Sequence, residues 1–272
     1  MTKRPKKVEG GFKSALVDCL LSLKAVQRVA RFLLENRTKN LEFRPIFDKA
    51  FHANTEPIFR LLANLDYKPE HIVDVGAHRG AWTLSAMRLF PDAKYTLFEP
   101  QRDLLCENSA LQSSNVTLNF LGVGPKSGEA LFTEHARQDS ISFAWSESEA
   151  KSSNFAQKLL PIIALDDYFE KHQDWPRPQV IKIDAEGWDL EVLHGASEII
   201  KGCDVIFVEA TVLNRKHPNT ALRVMNDMND RGFDLVDITD LNRTPSFGAL
   251  WLVELAFASR KSNIFKAIDR YS

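Results

Sequence analysis

Asp74-Val75-Gly76-Ala77-His78-Arg79-Gly80 stands where a strand-like run, His71 to Val75, gives way to a helix-like one, Ala81 to Phe90. At the carboxyl end of a parallel strand such a turn presents backbone N–H groups to a ligand, because helix N-termini converge there. Asp74, Gly76 and Gly80 are accordingly read as ligand-facing, the glycines letting the chain turn tightly and a ligand lie against bare backbone. Glu99 in YTLFEP ends the next strand-like run. A carboxylate there can accept hydrogen bonds from both ribose hydroxyls of a bound nucleoside.

The turn separates two ligand classes. A dinucleotide seats its pyrophosphate on a helix N-terminus, usually through G-x-G-x-x-G, and Gly76-Ala77-His78-Arg79-Gly80 lacks that pattern. S-adenosylmethionine has no phosphate and carries an ammonium that Asp74 can meet through water. It is the preferred cofactor; a nicotinamide or flavin dinucleotide, and a tight turn that binds nothing, are the alternatives. The expected cofactor-binding set is Asp74, Gly76, Ala77, His78, Gly80, Glu99 and Pro100. His78 and Arg79 either meet the cofactor carboxylate or form a solvated helix start. Nothing nearby reads as a P-loop.

A second constellation lies in IKIDAEGWDLEVLHGA, Ile181 to Ala196, where Asp184 and Glu186 leave a strand together and Gly187 opens the turn. Two carboxylates at the carboxyl end of a central strand belong to the same crevice as Asp74 and Glu99. They serve substrate binding or proton removal, or they cap the following helix. Methyl transfer from a sulfonium is an in-line displacement that needs the acceptor oxygen held behind the methyl group and its proton removed. Asp184 or His135 takes or relays that proton in this reading, with Glu186 and Glu209 positioning hydroxyls or the loop. The expected catalytic set is therefore Asp184, Glu186 and His135; His135 also reads as a plain exposed residue. A divalent metal between Asp184 and Glu209 is a second, less favoured version, and no metal ligands are assigned. Trp145 or Trp188 could stack on a sugar, the alternative being core or rim packing.

The elements that must position these residues follow from the apolar pattern. Strand-like runs at 71–75, 94–98 and 116–121 alternate with helix-like ones at 81–90 and 102–111, the βαβαβ signature of a parallel sheet with crossover helices. A turn at 124–128 leads to a hairpin arm, 130–133, and the Ser-rich 140–153 reads as a loop or lid. Alternation resumes at 162–168, with strand 180–183, helix 190–200, strand 205–208, helix 219–230 and strand-like runs 234–238 and 249–258. NRKHP, 214–218, is a polar loop that either shapes the acceptor site or only connects. Ahead of this body, Phe12 to Glu35 is an amphipathic helix with a basic face, and Ile58 to Leu65 a second helical stretch.

Composition limits the function classes. Thirty-five Lys/Arg against thirty-six Asp/Glu leave a net charge of −1, which gives no field for nucleic acid. Residues 1–70 carry fourteen basic and eight acidic residues, an appendage of different character. Its helix is read as packing on the body or on a second copy, in a homodimer, with peripheral membrane contact as the alternative. No stretch is long enough to span a bilayer, and Cys19, Cys106 and Cys203 suggest neither a disulfide framework nor a zinc site, so a reducing cytoplasm is expected. The expected division is an N-terminal helical extension, 1–68, a catalytic domain, 69–260, and a tail, 261–272.

DVGAHRG, FEP, NFLGVGPKSGEALF, the LDD of IIALDDYF, IKIDAEG with LEVLHGA, and VIFVEA together resemble the FkbM-type S-adenosylmethionine-dependent methyltransferases, from Ile72 to Ala210 and more weakly to Phe257. The resemblance implies an α/β class I methyltransferase fold, Rossmann-like: a seven-stranded, mostly parallel sheet whose last strand is antiparallel, with helices on both faces. It implies O-methylation of a sugar, glycan or small-metabolite hydroxyl. It places Asp74, Gly76 and Gly80 on the cofactor loop and Glu99 at the ribose. Asp184, Glu186 and Gly187 fall on a stretch facing cofactor and acceptor. A nucleic-acid methyltransferase would more often carry Asn or Asp, two prolines and an aromatic where this chain has Asp184-Ala185-Glu186-Gly187. A nucleoside-binding protein without catalysis is the other alternative.

Overall fold

The computed structural model describes residues 56–134, 141–142, 146–213, 218–244 and 247–264. The expected helix at 12–35, His135, Trp145, most of the NRKHP loop and residues 265–272 lie outside them.

Helix α1 (Glu56–Asn64) precedes β1 (His71–Val75), α2 (Ala81–Met87), β2 (Lys94–Phe98), α3 (Arg102–Cys106) and β3 (Val116–Asn119). A smaller unit follows: β4 (Gly122–Val123), β5 (Gly128–Glu134), β6 (Ile141–Ser142), α4 (Glu147–Ser152) and β7 (Ala156–Ile163). Then come α5 (Leu165–Glu170), β8 (Val180–Ile183), α6 (Asp189–His194), β9 (Val205–Thr211), α7 (Ala221–Asp230), β10 (Phe233–Arg243) and β11 (Leu250–Ser259). The main sheet has seven strands in the order β3-β2-β1-β8-β9-β11-β10, and a second sheet has four, β4-β7-β5-β6. β1 pairs in parallel with β2 and β8, as do β2 with β3 and β8 with β9; β11 is antiparallel to both β9 and β10. The seven-stranded, mostly parallel sheet with an antiparallel last strand is the architecture expected.

Alternation along the strands divides the core between the two faces of the sheet. Val73, Val75, Ile181, Ile183, Ile206 and Val208 pack with Leu165 and Phe169 of α5, Val192 and Leu193 of α6, and Val224 and Met228 of α7. Ile72, Val180, Val205 and Phe207 pack with Ile58, Phe59 and Leu62 of α1 and with Trp82 and Ala86 of α2. Phe59 meets Trp82, Phe90 and Phe207 edge-on at centroid distances of 5.1, 6.0 and 5.7 Å. Each such side chain contributes about 1.5–3 kcal/mol on burial, which is what holds helices this short.

Several helices are shorter than their periodicity suggests because side chains start new turns inside them. The stretch 102–111 divides after Cys106: the Asn108 side chain accepts from Ala110 N at 3.2 Å and opens a 3-10 turn, Ser109–Leu111. The stretch 190–200 divides likewise, with the Asp166 carboxylate accepting from Glu198 N and Ile199 N ahead of a 3-10 turn, Ile199–Gly202. The run 162–168 straddles the end of β7 and the start of α5. Within the Ser-rich segment read as a loop or lid, Ser146 and Glu149 form a capping box and 147–152 is helical. Apolar content was the wrong guide there, since a cap supplies the start.

Candidate active site

The turn after β1 is built by its neighbours. Gly76 N and Ala77 N both donate to Phe98 O, at 2.9 and 3.0 Å, which ties the turn to the end of β2. Gly76, His78 and Gly80 take left-handed φ values of 72°, 50° and 75°. A Cβ on Gly76 would lie 1.8 Å from the carbonyl oxygen of Asp184, and one on Gly80 2.4 Å from Leu111 Cδ1. At both positions, protein atoms stand where a ligand against bare backbone was expected. The glycines are needed for the docking of the chain on itself. The Ala77 side chain is buried in the core.

Asp74 is 0% exposed. Its Oδ2 accepts from the Thr83 hydroxyl of α2 at 2.6 Å, and its Oδ1 lies 3.5 Å from Lys182 Nζ. Burial raises its pKa, opposed by Lys182 and Thr83. Glu99, also buried, receives His78 N on Oε2 at 3.0 Å and Gln101 N on Oε1 at 2.9 Å. Pro100 lies between Glu99 and the Gln101 N–H donor. Burial raises the Glu99 pKa, and these two backbone donors counter it. Arg79 turns away and pairs with Glu107 beside α3.

The turn after β8 docks directly on this one. Asp184 N donates to Val75 O at 3.0 Å, and Asp184 Oδ2 accepts from Lys182 Nζ at 2.9 Å. Glu186 and Gly187 take positive φ, 51° and 93°. Trp188 stands at the N-cap of α6 and makes no side-chain capping hydrogen bond; Asp189, the first helical residue, is fully buried and instead braces the turn ahead of the helix, accepting from Ala185 N, Gly187 N and Asn219 Nδ2 at 2.9, 3.2 and 2.8 Å. Burial pushes its pKa up to about 8. Beside it, half-buried Glu209 on β9 stands opposite Glu254 on β11. Burial, with repulsion from Asp184, Asp189 and Glu186, raises the pKa of Glu209 well above its ordinary value. Glu254 accepts from the Thr239 hydroxyl, and burial pushes it up to about 7 against the pull of Lys182.

Asp74, Glu99, Asp184, Glu186 and Glu209 thus gather at the carboxyl ends of β1, β2, β8 and β9. Asp74 and Lys182 are register partners on adjacent strands. Thr83, Lys182, Asp189 and Glu254 escaped the reading of the sequence. Lys182 had a signal: a cation inside Val180-Ile181-Lys182-Ile183, a strand buried on both faces, requires a buried partner. Trp188 lies over Gly124, whose Cβ would meet its ring at 2.7 Å. Among the described residues no cluster of three His, Cys, Asp or Glu could hold a metal ion, and no helix is long and apolar enough to cross a membrane.

A sheet ordered β3-β2-β1-β8-β9-β11-β10 with acid at the ends of its first two strands defines the class I methyltransferase architecture, the S-adenosylmethionine-dependent class. Residues 74–235 match the family model described as "Methyltransferase FkbM domain", and the chain belongs to that family.

Among solved structures, the chain is similar to methyltransferase FkbM from Methylobacillus flagellatus KT, with 18% identity over 68% of this chain and 43% of that one and a TM-score of 0.43. Precorrin-6y C5,15-methyltransferase from Geobacter metallireducens GS-15 shares 14% identity over 78% of this chain and 95% of its own, with a TM-score of 0.41. The 1,6-didemethyltoxoflavin-N1-methyltransferase of Burkholderia thailandensis, whose structure holds S-adenosylhomocysteine, shares 13% over 95% and 93%, with a TM-score of 0.39. The chain spans less than half the length of the first of these. At such identities and scores the likeness says nothing of the acceptor. No curated protein matches the chain.

Proposed function

We propose that this protein transfers the methyl group of S-adenosylmethionine to a hydroxyl of a sugar, glycan or other small metabolite. The observation that carries the reading is the docking of the two turns: the Asp184 carbonyl fills the space beside Gly76, so the cofactor turn and the carboxylate turn form one wall. The cofactor fits this wall because it is cationic at both sulfonium and ammonium, and the crevice is rich in carboxylates. When bound, it supplies a methyl group already activated for displacement.

Glu99 takes the ribose hydroxyls, its carboxylate held in place by His78 N and Gln101 N. The Asp184–Gly187 turn would hold the acceptor oxygen facing the methyl group that the bound cofactor would supply. The acceptor's proton passes to a carboxylate of that turn, Asp184 or Glu186, with His135 as the alternative relay and Glu209 positioning hydroxyls. Glu209 suits hydrogen-bond donation, since its raised pKa favours the protonated form. Acid in the crevice repels phosphates, which argues against a nucleic-acid acceptor. In the same reading the protein works in a reducing cytoplasm; Cys106 and Cys203 are free thiols.

The test is incubation with methyl-labelled S-adenosylmethionine and a panel of mono- and oligosaccharides, hydroxylated metabolites, RNA, DNA and peptides. Label on a sugar or metabolite oxygen supports the reading. Label on nucleic acid, or cofactor binding with no transfer to any member of the panel, overturns it.

A further inference from the structure

Lys182 is a buried cation on a central strand, and its ammonium joins three segments. Nζ lies 2.9 Å from Asp184 Oδ2, 3.3 Å from Gly76 O and 3.5 Å from Asp74 Oδ1. The first is the carboxylate turn, the second the cofactor turn and the third the end of β1. Burying an ammonium this deeply is tolerable only because the pairing is so close.

The carboxylates around Lys182 are not equally available. Asp74 is wholly buried and its other oxygen holds the Thr83 hydroxyl. Asp189 already accepts from three donors, and Glu254 is engaged by Thr239. Asp184 differs: its side chain is 33% exposed, and among the described residues only Oδ2 is committed, to the lysine. Its main chain is fixed as well, through Val75 O and the contact with Gly76. The second oxygen therefore belongs to a rigid carboxylate beside the cofactor turn, where a cationic ligand group would find a pre-oriented acceptor.

Resting on the cofactor reading above, we propose that Lys182 is a positioning residue: it clamps Asp184 through Oδ2 against the cofactor turn and leaves Oδ1 for the ammonium of the cofactor's amino-acid end, so that removal of the acceptor's proton falls to Glu186. Lys182 does not touch the ligand. It decides which of two neighbouring carboxylates serves the cofactor and which serves the acceptor.

Two probes separate this role from a merely structural one: S-adenosylhomocysteine, and 5′-methylthioadenosine, which keeps the nucleoside and thioether but lacks the amino-acid end. Both are titrated calorimetrically into the full-length protein and its variants. Lys182→Met weakens S-adenosylhomocysteine at least tenfold and 5′-methylthioadenosine less than twofold. Asp184→Asn gives the same pattern, and the double variant binds S-adenosylhomocysteine no more weakly than either single variant, because the clamp and its carboxylate act as one unit. Lys182→Met leaves Asp74 buried without its cation; if it does not fold, Asp184→Asn, at a partly exposed position, carries the test alone.

Equal weakening of both probes, unchanged S-adenosylhomocysteine affinity in Asp184→Asn, or additive losses in the double variant would overturn the clamp while wild type still bound both ligands. A wild-type protein that binds neither probe overturns the cofactor reading itself, and the clamp with it.

Discussion

The carbonyl oxygen of Asp184 stands 1.8 Å from the point where a Cβ on Gly76 would be placed. The two residues belong to turns at the ends of adjacent parallel strands, β1 and β8, and the absence of one side chain lets the turns close on each other. Gly76→Ala must therefore move backbone as well as adopt a left-handed φ. It is expected to cost about 3 kcal/mol in denaturant unfolding and to weaken S-adenosylhomocysteine binding. Gly80→Ala meets only the Leu111 side chain, which can rotate, and is expected to cost about 1–2 kcal/mol. Equal losses at the two sites would show that φ alone matters.

Glu99→Ala removes the acceptor of two backbone donors and, in the proposed reading, of the ribose hydroxyls as well. Calorimetric titration should show S-adenosylmethionine weakened by about 1–3 kcal/mol. Unlike the Lys182 variant, it should weaken 5′-methylthioadenosine equally, because both ligands carry the ribose. A variant that binds 5′-methylthioadenosine normally would remove Glu99 from the nucleoside end.

Glu186→Gln is expected to leave S-adenosylhomocysteine affinity within about twofold and to lower methyl transfer by about 10²-fold or more, the usual range for removing a general base. Normal turnover would send the proton elsewhere.

Glu254 links stability to pH. Its folded pKa of about 7 lies above the unfolded value, so the folded state retains a proton that the unfolded state has lost. Stability should fall as pH rises from about 4.5 through about 7, by about 3 kcal/mol, and then level off. Glu254→Gln keeps an acceptor for the Thr239 hydroxyl and removes this titration. Thermal melts should show the variant gaining most over wild type at pH 8 and least at pH 5. An unchanged difference at both pH values would contradict this account.

His71 works in the opposite direction. A carbonyl can only accept, so Nδ1 donates to Pro176 O at 2.7 Å, and in the neutral ring Nε2 accepts the Thr96 hydroxyl at 2.8 Å. Burial lowers its pKa to about 4. The stability this provides is complete above about pH 6.5 and is lost as pH falls through about 4, about 3 kcal/mol in all. His71→Gln should flatten the acid limb of a plot of unfolding free energy against pH, even if it lowers the plateau.

The sequence by itself determined the strands 71–75, 94–98 and 180–183, the alternation that sorts their side chains to two faces, and the acids at their ends. These are local properties: an apolar run, a period of two and a glycine after a strand are legible without knowing what lies beside them. Helix ends were less legible, since Asn108 and Asp166 interrupt apolar periodicity with caps that the period does not register. What only the tertiary structure decided is which group each acid meets. Asp74 faces inward to Thr83 and Lys182, Asp189 braces the turn that carries Asp184 and Glu186, and Gly76 makes room for a carbonyl. Such partners lie across strands, where pairing register sets them next to each other. A buried charge keeps its ionisation or its proton according to those neighbours, not according to its place in the chain.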